Sequence, residues 1–489
     1  MYYIGIDLGT SSVKIIVADE KGDIKKSVSK EYPISFPKSG WSEQNPKDWY
    51  EKTIEGLKEL LSDIDRSMVK GISFGGQMHG LVVLDDNDEI IRPAILWNDG
   101  RTGKQNDYLN NIIGKERLCD LTANISFAGF TAPKILWMKE EEPQNFAKIK
   151  KIMLPKDYLA YRFTGVFSTD VSDASGTLLF DVKNRTWSDE MCEICGVSKD
   201  MLPEVFESFE KTGMLKRELA CELGLNEVTV AAGAGDNAAA AVGTGTVGHN
   251  ACNISLGTSG TIFVAQEECH ADRNFALHSF DDANGKYHLM GCMLSAASSN
   301  MWWCDDILKD NDYSALQKDI KELGENKVFY LPYLMGERSP HNDSNARGVF
   351  IGMSMDTVRE DMTQAVLEGV AFGIRDSFEI AKSLGADIKE TMICGGGAKS
   401  PLWRKIMANV LGIKVKSPTT EEGPSYGAAI LAMVACGEYA TVEEACAKIV
   451  EVNGEEVPDF LLVQKYEDRY KIYKKIYPCL KDLYKMMSE

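Results

Sequence analysis

The chain has 489 residues, 44% of them hydrophobic and 26% charged, and a formal net charge of −19. That length is too great for one core and suits two domains of roughly 240 residues each, while so acidic a balance argues against a nucleic-acid backbone or an anionic membrane as partner. The twelve cysteines are scattered and no secretory leader precedes them, which reads as reduced thiols in a cytoplasmic protein.

From Met1 to about Leu84 the pattern is strand-rich. It opens Ile4-Gly5-Ile6-Asp7-Leu8-Gly9-Thr10-Ser11 and continues Ser12-Val13-Lys14-Ile15-Ile16-Val17, an apolar run on either side of a turn of small and hydroxyl residues. This predicts a β-hairpin whose turn lets backbone N–H groups approach an anion. Asp7, just before the turn, reads either as a carboxylate satisfying local N–H groups or as one holding the Mg²⁺ that accompanies a nucleoside triphosphate. A helix enters through Asn45-Pro46-Lys47-Asp48, with Asn45 capping, Pro46 in the first helical position and Asp48 favoured by the dipole. Gly71 to Leu84 then reads as strand, Gly-rich turn and strand, with Gln77, Met78 and His79 where a ligand reaches them. A lone His such as His79 is more often structural than catalytic.

The middle of the first half is more helical. Cys192-x-x-Cys195 has no second pair or His partner at zinc-like spacing, and reads as two thiols on a helix turn. Thr229 to Asn237 is a strand running into a glycine turn, and Ala238 to Val242 is a small-residue helix. Asp236 is the lone charged residue from Thr229 to His249; it reads equally as the cap of that helix and as a general base among small neighbours that leave room for substrate. The Gly- and Thr-rich stretch Gly243 to Gly248 marks the expected boundary, which divides the chain into domains 1–245 and 246–489.

The second half repeats the opening as Asn253-Ile254-Ser255-Leu256-Gly257-Thr258-Ser259-Gly260-Thr261-Ile262-Phe263-Val264, with the same Leu-Gly-Thr-Ser tetrapeptide. Two such turns half a chain apart imply duplicated domains facing each other across a nucleotide. Ser255 stands where the first copy has Asp7, which leaves the metal to one side of an asymmetric site. An amphipathic helix is expected from Arg359 to Leu384. Met392 to Cys394 is a buried strand ending in Gly395-Gly396-Gly397-Ala398 ahead of a helix from Leu402 to Leu411, and the triple glycine resembles a nucleotide-contacting turn. It does not fit Gly-x-Gly-x-x-Gly, and no Gly-x-x-x-x-Gly-Lys-Ser/Thr occurs, so neither a Rossmann oxidoreductase nor a P-loop enzyme is supported. The longest strongly apolar helical run, Ala428 to Cys436, is far short of the ~20 residues a membrane span needs. Tyr466, Tyr470, Tyr473 and Tyr477 share one helical face and predict a C-terminal helix docked on the body.

Together these features resemble the FGGY carbohydrate kinases. Two long family patterns match as well: Gly129-x-Thr131-x-x-Lys134-Ile135-x-Trp137-Met138-x-Glu140-Glu141, and Gly348-x-Phe350-x-Gly352-Met353 followed by Asp361-Met362-x-x-Ala365-Val366-Leu367-Glu368. Within the family, the stretches Gly76 to Gly80, Pro93 to Arg101, Phe130 to Lys134, Leu154 to Tyr158, Leu294 to Ser298 and Gly336 to His341 are most similar to members that act on D-xylulose. Members acting on glycerol carry an Arg-Glu pair where this chain has Met78-His79. Charged hydrogen bonds clamp a small triol, whereas an apolar wall with one polar tip suits a longer ketose.

The resemblance implies an α/β fold of two duplicated actin-like, ribonuclease H-like ATPase domains, shared with actin, hexokinase and the heat-shock chaperones, with an active-site cleft between them. It implies ATP-dependent phosphorylation of D-xylulose at its 5-hydroxyl. Asp236 would accept the hydroxyl proton and Asp7 would organise Mg²⁺. Thr10, Ser11 and Lys14 would meet the phosphates from one domain, Gly257 and Thr258 from the other. Gly396, Gly397 and Ala398 would line the adenosine side, with Asn300 beside them. Met78, His79, Asp236 and Asn237 would contact the sugar, and Trp97 and Asn98 would stand behind them. Glu337 and Arg338 are expected to form a buried ion pair that fixes a loop. A homodimer is compatible with the resemblance. Rival readings are a kinase for ribulose, gluconate or glycerol, an actin- or chaperone-like ATPase without a sugar substrate, and a non-catalytic sugar sensor; Asp7 and Asp236 weigh against the last.

Overall fold

A computed structural model describes residues 1–488. The first sheet is built from β1 (Tyr2–Leu8), β2 (Ser12–Asp19), β3 (Ile24–Glu31), β4 (Val69–Gly76), β5 (Lys211–Met214), β6 (Thr229–Ala231) and β7 (Ala234–Gly235). Its order is β5-β6-β4-β1-β2-β3, with β7 also paired to β4. The second sheet is built from β8 (Cys252–Leu256), β9 (Gly260–Gln266), β10 (His278–Asp281), β11 (Tyr287–Met293), β12 (Glu390–Cys394), β13 (Lys414–Pro418) and β14 (Val452–Glu456), in the order β10-β11-β9-β8-β12-β13-β14.

The two sheets share one plan. In the first, β1, β2 and β3 are antiparallel neighbours, and β4 and β6 extend the sheet in parallel on the other side of β1. In the second, β8, β9 and β11 are antiparallel, and β12 and β13 extend it in parallel from β8. The central strands carry near-continuous apolar runs because helices cover both faces, as parallel crossovers require. Ile4, Ile6, Val13, Ile15, Ile72 and Phe74 fill the first core; Ile254, Leu256, Ile262, Ile393, Phe372 and Trp403 fill the second. The duplication expected from the repeated hairpin, in the ribonuclease H-like form that the family resemblance implies, is what the chain adopts.

The helices that matter for the site are α1 (Pro46–Leu60), α2 (Thr131–Glu141), α3 (Pro155–Thr164), α4 (Val171–Ser175), α5 (Asp236–Gly243), α6 (Arg359–Ser383), α7 (Pro401–Leu411), α8 (Gly423–Ala435) and α9 (Phe460–Ser488). Asn45 caps α1 through a 3.1 Å bond accepted from the Lys47 N–H, with Pro46 next, as its sequence predicts. The start of α5 differs from expectation. Gly235 is its cap and Asp236 its first residue, because the Asp236 carboxylate turns aside to accept from the Asn237 backbone N–H at 2.8 Å and from Asn237 Nδ2 at 3.0 Å.

Helix α8 comes from the second half of the sequence but covers β1 and β4 of the first sheet and crosses α5. Tyr3, Ile16, Ala239, Val242, Ala429 and Ile430 form one apolar layer there. The crossing is so close that a Cβ on Gly427 would fall within the Ala239 carbonyl group, so only glycine fits. Helix α9 lies on the second half: Tyr466, Tyr470, Tyr473 and Tyr477 are all buried, with hydroxyls donating to Glu368 Oε1 (2.9 Å), Asp376 Oδ1 (2.6 Å), the Gly369 carbonyl (3.4 Å) and Asp343 Oδ2 (2.8 Å). Cys192 and Cys195 sit in the helix Asp189–Cys195, where burial pushes their thiols up to about 11 and about 12. Among the described residues, no helix is long and apolar enough to cross a membrane.

Candidate active site

A cavity of about 640 Å³ opens where the two sheets meet. Asp236, Asn237 and Ala240 of α5 form one side; Ser255 and Thr261 of the second hairpin, with Gly395, Gly396 and Ala398, form another; the segment Thr419 to Glu421 and the start of α8 close a third. The glycine turn is shaped by need. Gly395 has φ +88°, and a Cβ there would run into the Leu256 backbone, so the turn rests directly on the hairpin. Gly396 has open space around it, facing the cavity. Gly397 has another task than expected: it is buried, packed against Leu256 and the Trp403 ring, and does not line the cavity. Nor does Asn300, which is buried in the short helix Ala297–Met301 with its Oδ1 turned to the Cys304 thiol at 3.6 Å.

The two Leu-Gly-Thr-Ser hairpins are alike in sequence and unlike in register. Leu8 pairs with Val13 around Gly9 to Ser12, but Leu256 pairs with Gly260 around the shorter Gly257 to Ser259. As a result Asp7 lies opposite Lys14, and its counterpart Ser255 opposite Thr261. All the charge is on the first hairpin. Lys14 Nζ reaches Glu422 Oε2 at 2.7 Å, bridging to the residue before α8. Thr10 is fixed by the Trp97 indole N–H on its Oγ1 (3.0 Å) and by Gln44 Nε2 on its carbonyl (2.7 Å), and Ser11 is exposed beside it. The carbonyls of Gly257 and Thr258 accept from the N–H groups of Ala297 and Ala296, which ties the second turn to the helix behind it.

Asp7 Oδ1 is closed off from solvent and has no hydrogen-bond partner. Burial, and then the Asp236 charge, push the Asp7 carboxyl up to about 7, with Lys14 pulling the other way. Burial likewise raises Asp236 to about 6, against the Asn237 N–H that favours its charged form. An unpartnered carboxylate oxygen facing a second carboxylate fits a hard cation of the Mg²⁺ type, which takes one or two protein carboxylates and completes its shell from phosphate and water.

The turn after β4 does not line this cavity; it lies on the other side of the first hairpin's end and of Gly235. Gln77 donates its backbone N–H to the Leu8 carbonyl (2.9 Å), so this turn hangs from the first hairpin. Met78 is buried with its side chain under Gly235 and Gly176. His79 is left-handed, with φ 69°, and its ring donates from Nδ1 to the Gly176 carbonyl at 2.7 Å, which leaves Nε2 as an acceptor. Burial, with the nearby charges of Arg338 and Lys134, holds the ring far below the usual imidazole range and therefore neutral. The strained backbone is held by α2: Lys134 Nζ donates to the His79 carbonyl (2.8 Å) and to that of Gly129 (2.7 Å), and Thr131 Oγ1 to His79 (3.1 Å). The Gly129-x-Thr131-x-x-Lys134 pattern is thus a brace for His79, a role its residue types do not reveal. Trp97 is about one-third exposed at the mouth, and Asn98 is exposed with no side-chain partner.

Two further groups depart from the sequence reading, one that escaped it and one that it assigned differently. Lys156 is fully buried, with Nζ 2.7 Å from Asp157 Oδ1, 2.8 Å from Asp170 Oδ1 and 3.7 Å from Asp173 Oδ2. Asp170 is bonded through Ser172 Oγ to the Gly235 N–H, immediately before Asp236. Only the Lys-Asp dipeptide inside Leu154 to Tyr158 hints at it; the other two carboxylates come from α4 and its cap. The second group is a correction: Glu337 and Arg338 do not pair. Glu337 Oε1 accepts from the Leu294 N–H (3.0 Å) and the Arg338 N–H (2.8 Å), while the guanidinium lies over the rings of Phe127 and Phe130.

Two ribonuclease H-like sheets meeting at a cleft bordered by Asp236 define an ATPase-type sugar phosphotransferase fold, and the family comparison agrees. Residues 2–243 match the N-terminal domain of the FGGY family of carbohydrate kinases and residues 252–436 its C-terminal domain, so the chain belongs to that family. Among its relatives is the xylulose kinase of Staphylococcus xylosus, 39% identical over 481 residues, which cover 97% of this chain and 99% of the relative. The structure of a xyloylose kinase from Brucella ovis superimposes with a TM-score of 0.95 at 37% identity, over 99% of this chain and all of that one. A gluconate kinase from Lactobacillus acidophilus superimposes with a TM-score of 0.94 at 26% identity, over 99% of both chains.

Proposed function

We propose that the protein transfers the γ-phosphoryl group of ATP to the 5-hydroxyl of D-xylulose, giving D-xylulose 5-phosphate. The observation that supports this most directly is Asp236, a half-buried carboxylate at the head of α5 that borders the cavity and has no cation paired to it. Its charge is free to accept a proton from a substrate hydroxyl. In a loose phosphoryl-transfer transition state the hydroxyl keeps most of its proton until late, so a carboxylate of ordinary basicity suffices. The choice of D-xylulose rests on the relatives and on the wall of Met78 and neutral His79, with Asn237 beside the base.

In this reading residues 1–245 supply the sugar wall and the metal carboxylate, and residues 246–489 supply the nucleotide side and the docking helix. Thr10, Ser11 and Lys14 meet the phosphates from the first hairpin, and Gly257 and Thr258 from the second; Gly396 and Ala398 border the adenosine. Asp7 holds Mg²⁺, which when bound neutralises the phosphate oxygens. Closure of the two halves over the sugar excludes water, the competing acceptor.

The test is an ADP-release assay on the purified protein across ketoses, gluconate and polyols. ADP release that depends on D-xylulose is expected. Turnover confined to another sugar would keep the kinase and overturn the substrate, and sugar-independent hydrolysis alone would overturn both.

A further inference from the structure

Arg338 poses a question that the phosphoryl-transfer reading leaves unanswered. It sits in the loop between the short strands Phe329–Leu331 and Val349–Ile351, which lies against the end of β11: the Ser339 N–H donates to the Cys292 carbonyl (2.9 Å), the Cys292 N–H donates to Ser339 Oγ (3.1 Å) and Glu337 Oε1 holds the Arg338 N–H. The backbone is therefore fixed on three sides. The side chain it carries is not satisfied: Nε and Nη2 are shut from solvent and have no hydrogen-bond partner, and no carboxylate pairs with it. Its polar neighbour is the thiol of Cys292, a weak acceptor. A guanidinium has five donors and no acceptor, and leaving two of its nitrogens shut from water and unpaired is unfavourable.

Its position says what would satisfy it. The guanidinium carbon is 4.5 Å from the Phe127 ring and 5.5 Å from the Phe130 ring, both from the first half of the chain. Phe130 lies 4.5 Å from the His79 ring, and the Arg338 charge acts on His79 itself. On its other flank, Cys292 is close enough to Asp236 for that carboxylate to act on the thiol. Arg338 thus reaches from the second half onto the Phe130 ring that packs against His79, with Cys292 on the flank nearer Asp236. The aromatic faces stabilise the cation but supply no hydrogen-bond acceptor in the plane of its donors.

We propose that Arg338 is the second half's contact to the sugar, its Nε and Nη2 donating hydrogen bonds to the hydroxyl and carbonyl oxygens of the ketose. This rests on the sugar-kinase reading above. It also gives Glu337 a task, since its carboxylate anchors the Arg338 backbone at the distance the contact requires. Because the two walls of the sugar site then come from different halves, sugar occupancy itself links them.

The experiment compares the wild-type protein with Arg338→Met and Arg338→Lys. Sugar binding is measured by calorimetry without nucleotide, using whichever sugar the wild-type protein phosphorylates, and ATP is titrated separately. Arg338→Met is expected to weaken sugar binding by about 10- to 150-fold, the usual loss for hydrogen bonds from a charged donor. The KM for ATP should move by less than about threefold, and the melting temperature without sugar should not fall, because methionine leaves no unpaired charge. Arg338→Lys should recover part of the affinity, keeping the charge without the fork. Unchanged sugar affinity in Arg338→Met, or a lowered melting temperature with ATP and sugar affinities altered alike, would overturn the assignment. A wild-type protein that phosphorylates no sugar at all would overturn the parent reading instead.

Discussion

Asp236 and Asp7 are half-buried carboxylates whose proton affinities are raised for different reasons, the first by desolvation alone and the second by desolvation plus the first. As the proposed base, Asp236 would act only when ionised. With its carboxyl at about 6, kcat/KM for the sugar is expected to be flat above neutrality and to fall tenfold per unit as pH drops below that value. Asp236→Asn should lower kcat by about 10²- to 10⁴-fold and abolish the acid limb, while ATP still binds; a pH–rate profile with an isotherm for ATP checks both. Lys156 offers a stability counterpart. Burial raises Asp157 and Asp173 in the folded chain despite Lys156. Groups raised in this way favour the folded state fully below the unfolded carboxylate range and lose that contribution as pH rises through their folded values. Lys156→Met raises those values further and strands three carboxylates, so urea unfolding should show a deficit of about 3–5 kcal/mol at neutral pH that shrinks towards about pH 4. At this scale the sequence was half legible. Asp236 stood out as a lone carboxylate among small residues, but Glu337 and Arg338 misled, because neighbours along an extended segment point to opposite sides.

The repeated hairpin was the most readable element, since its apolar runs and Gly-Thr-Ser turn are local features. Its difference in register was not, because a shared tetrapeptide says nothing about where the flanking strands resume pairing. The C-terminal helix was also legible: four tyrosines at helical spacing have room only against a body, and each hydroxyl finds an acceptor there. Tyr473 is fully enclosed in the second core, 5.0 Å from Phe372 and 6.4 Å from Tyr470. Tyr473→Ala is expected to cost about 3–5 kcal/mol by denaturant unfolding with little change in KM for either substrate, since the ring lies in the second core and outside the cleft. Helix α8 was legible as a helix and not as to destination. An apolar pattern shows that a segment is covered, never by which sheet.

For the whole molecule, the proposed division of the sugar walls between the halves would make ligand occupancy and domain closure one event, while the Lys14 to Glu422 bridge stays within the first body, onto which α8 folds. Small-angle scattering should show a smaller radius of gyration with sugar present than without, and Arg338→Met should reduce that change. The mode of closure is constrained by α8, which is second-half in sequence and first-half in space. Because it covers β1 and β4, the first sheet is finished only after nearly the entire chain has been made. A polypeptide cut between residues 245 and 246 should therefore yield two pieces that are each insoluble, yet recover kinase activity when produced together. Duplication has left the protein with two copies of one plan, and the exchange of a single helix has made it impossible to own either copy alone.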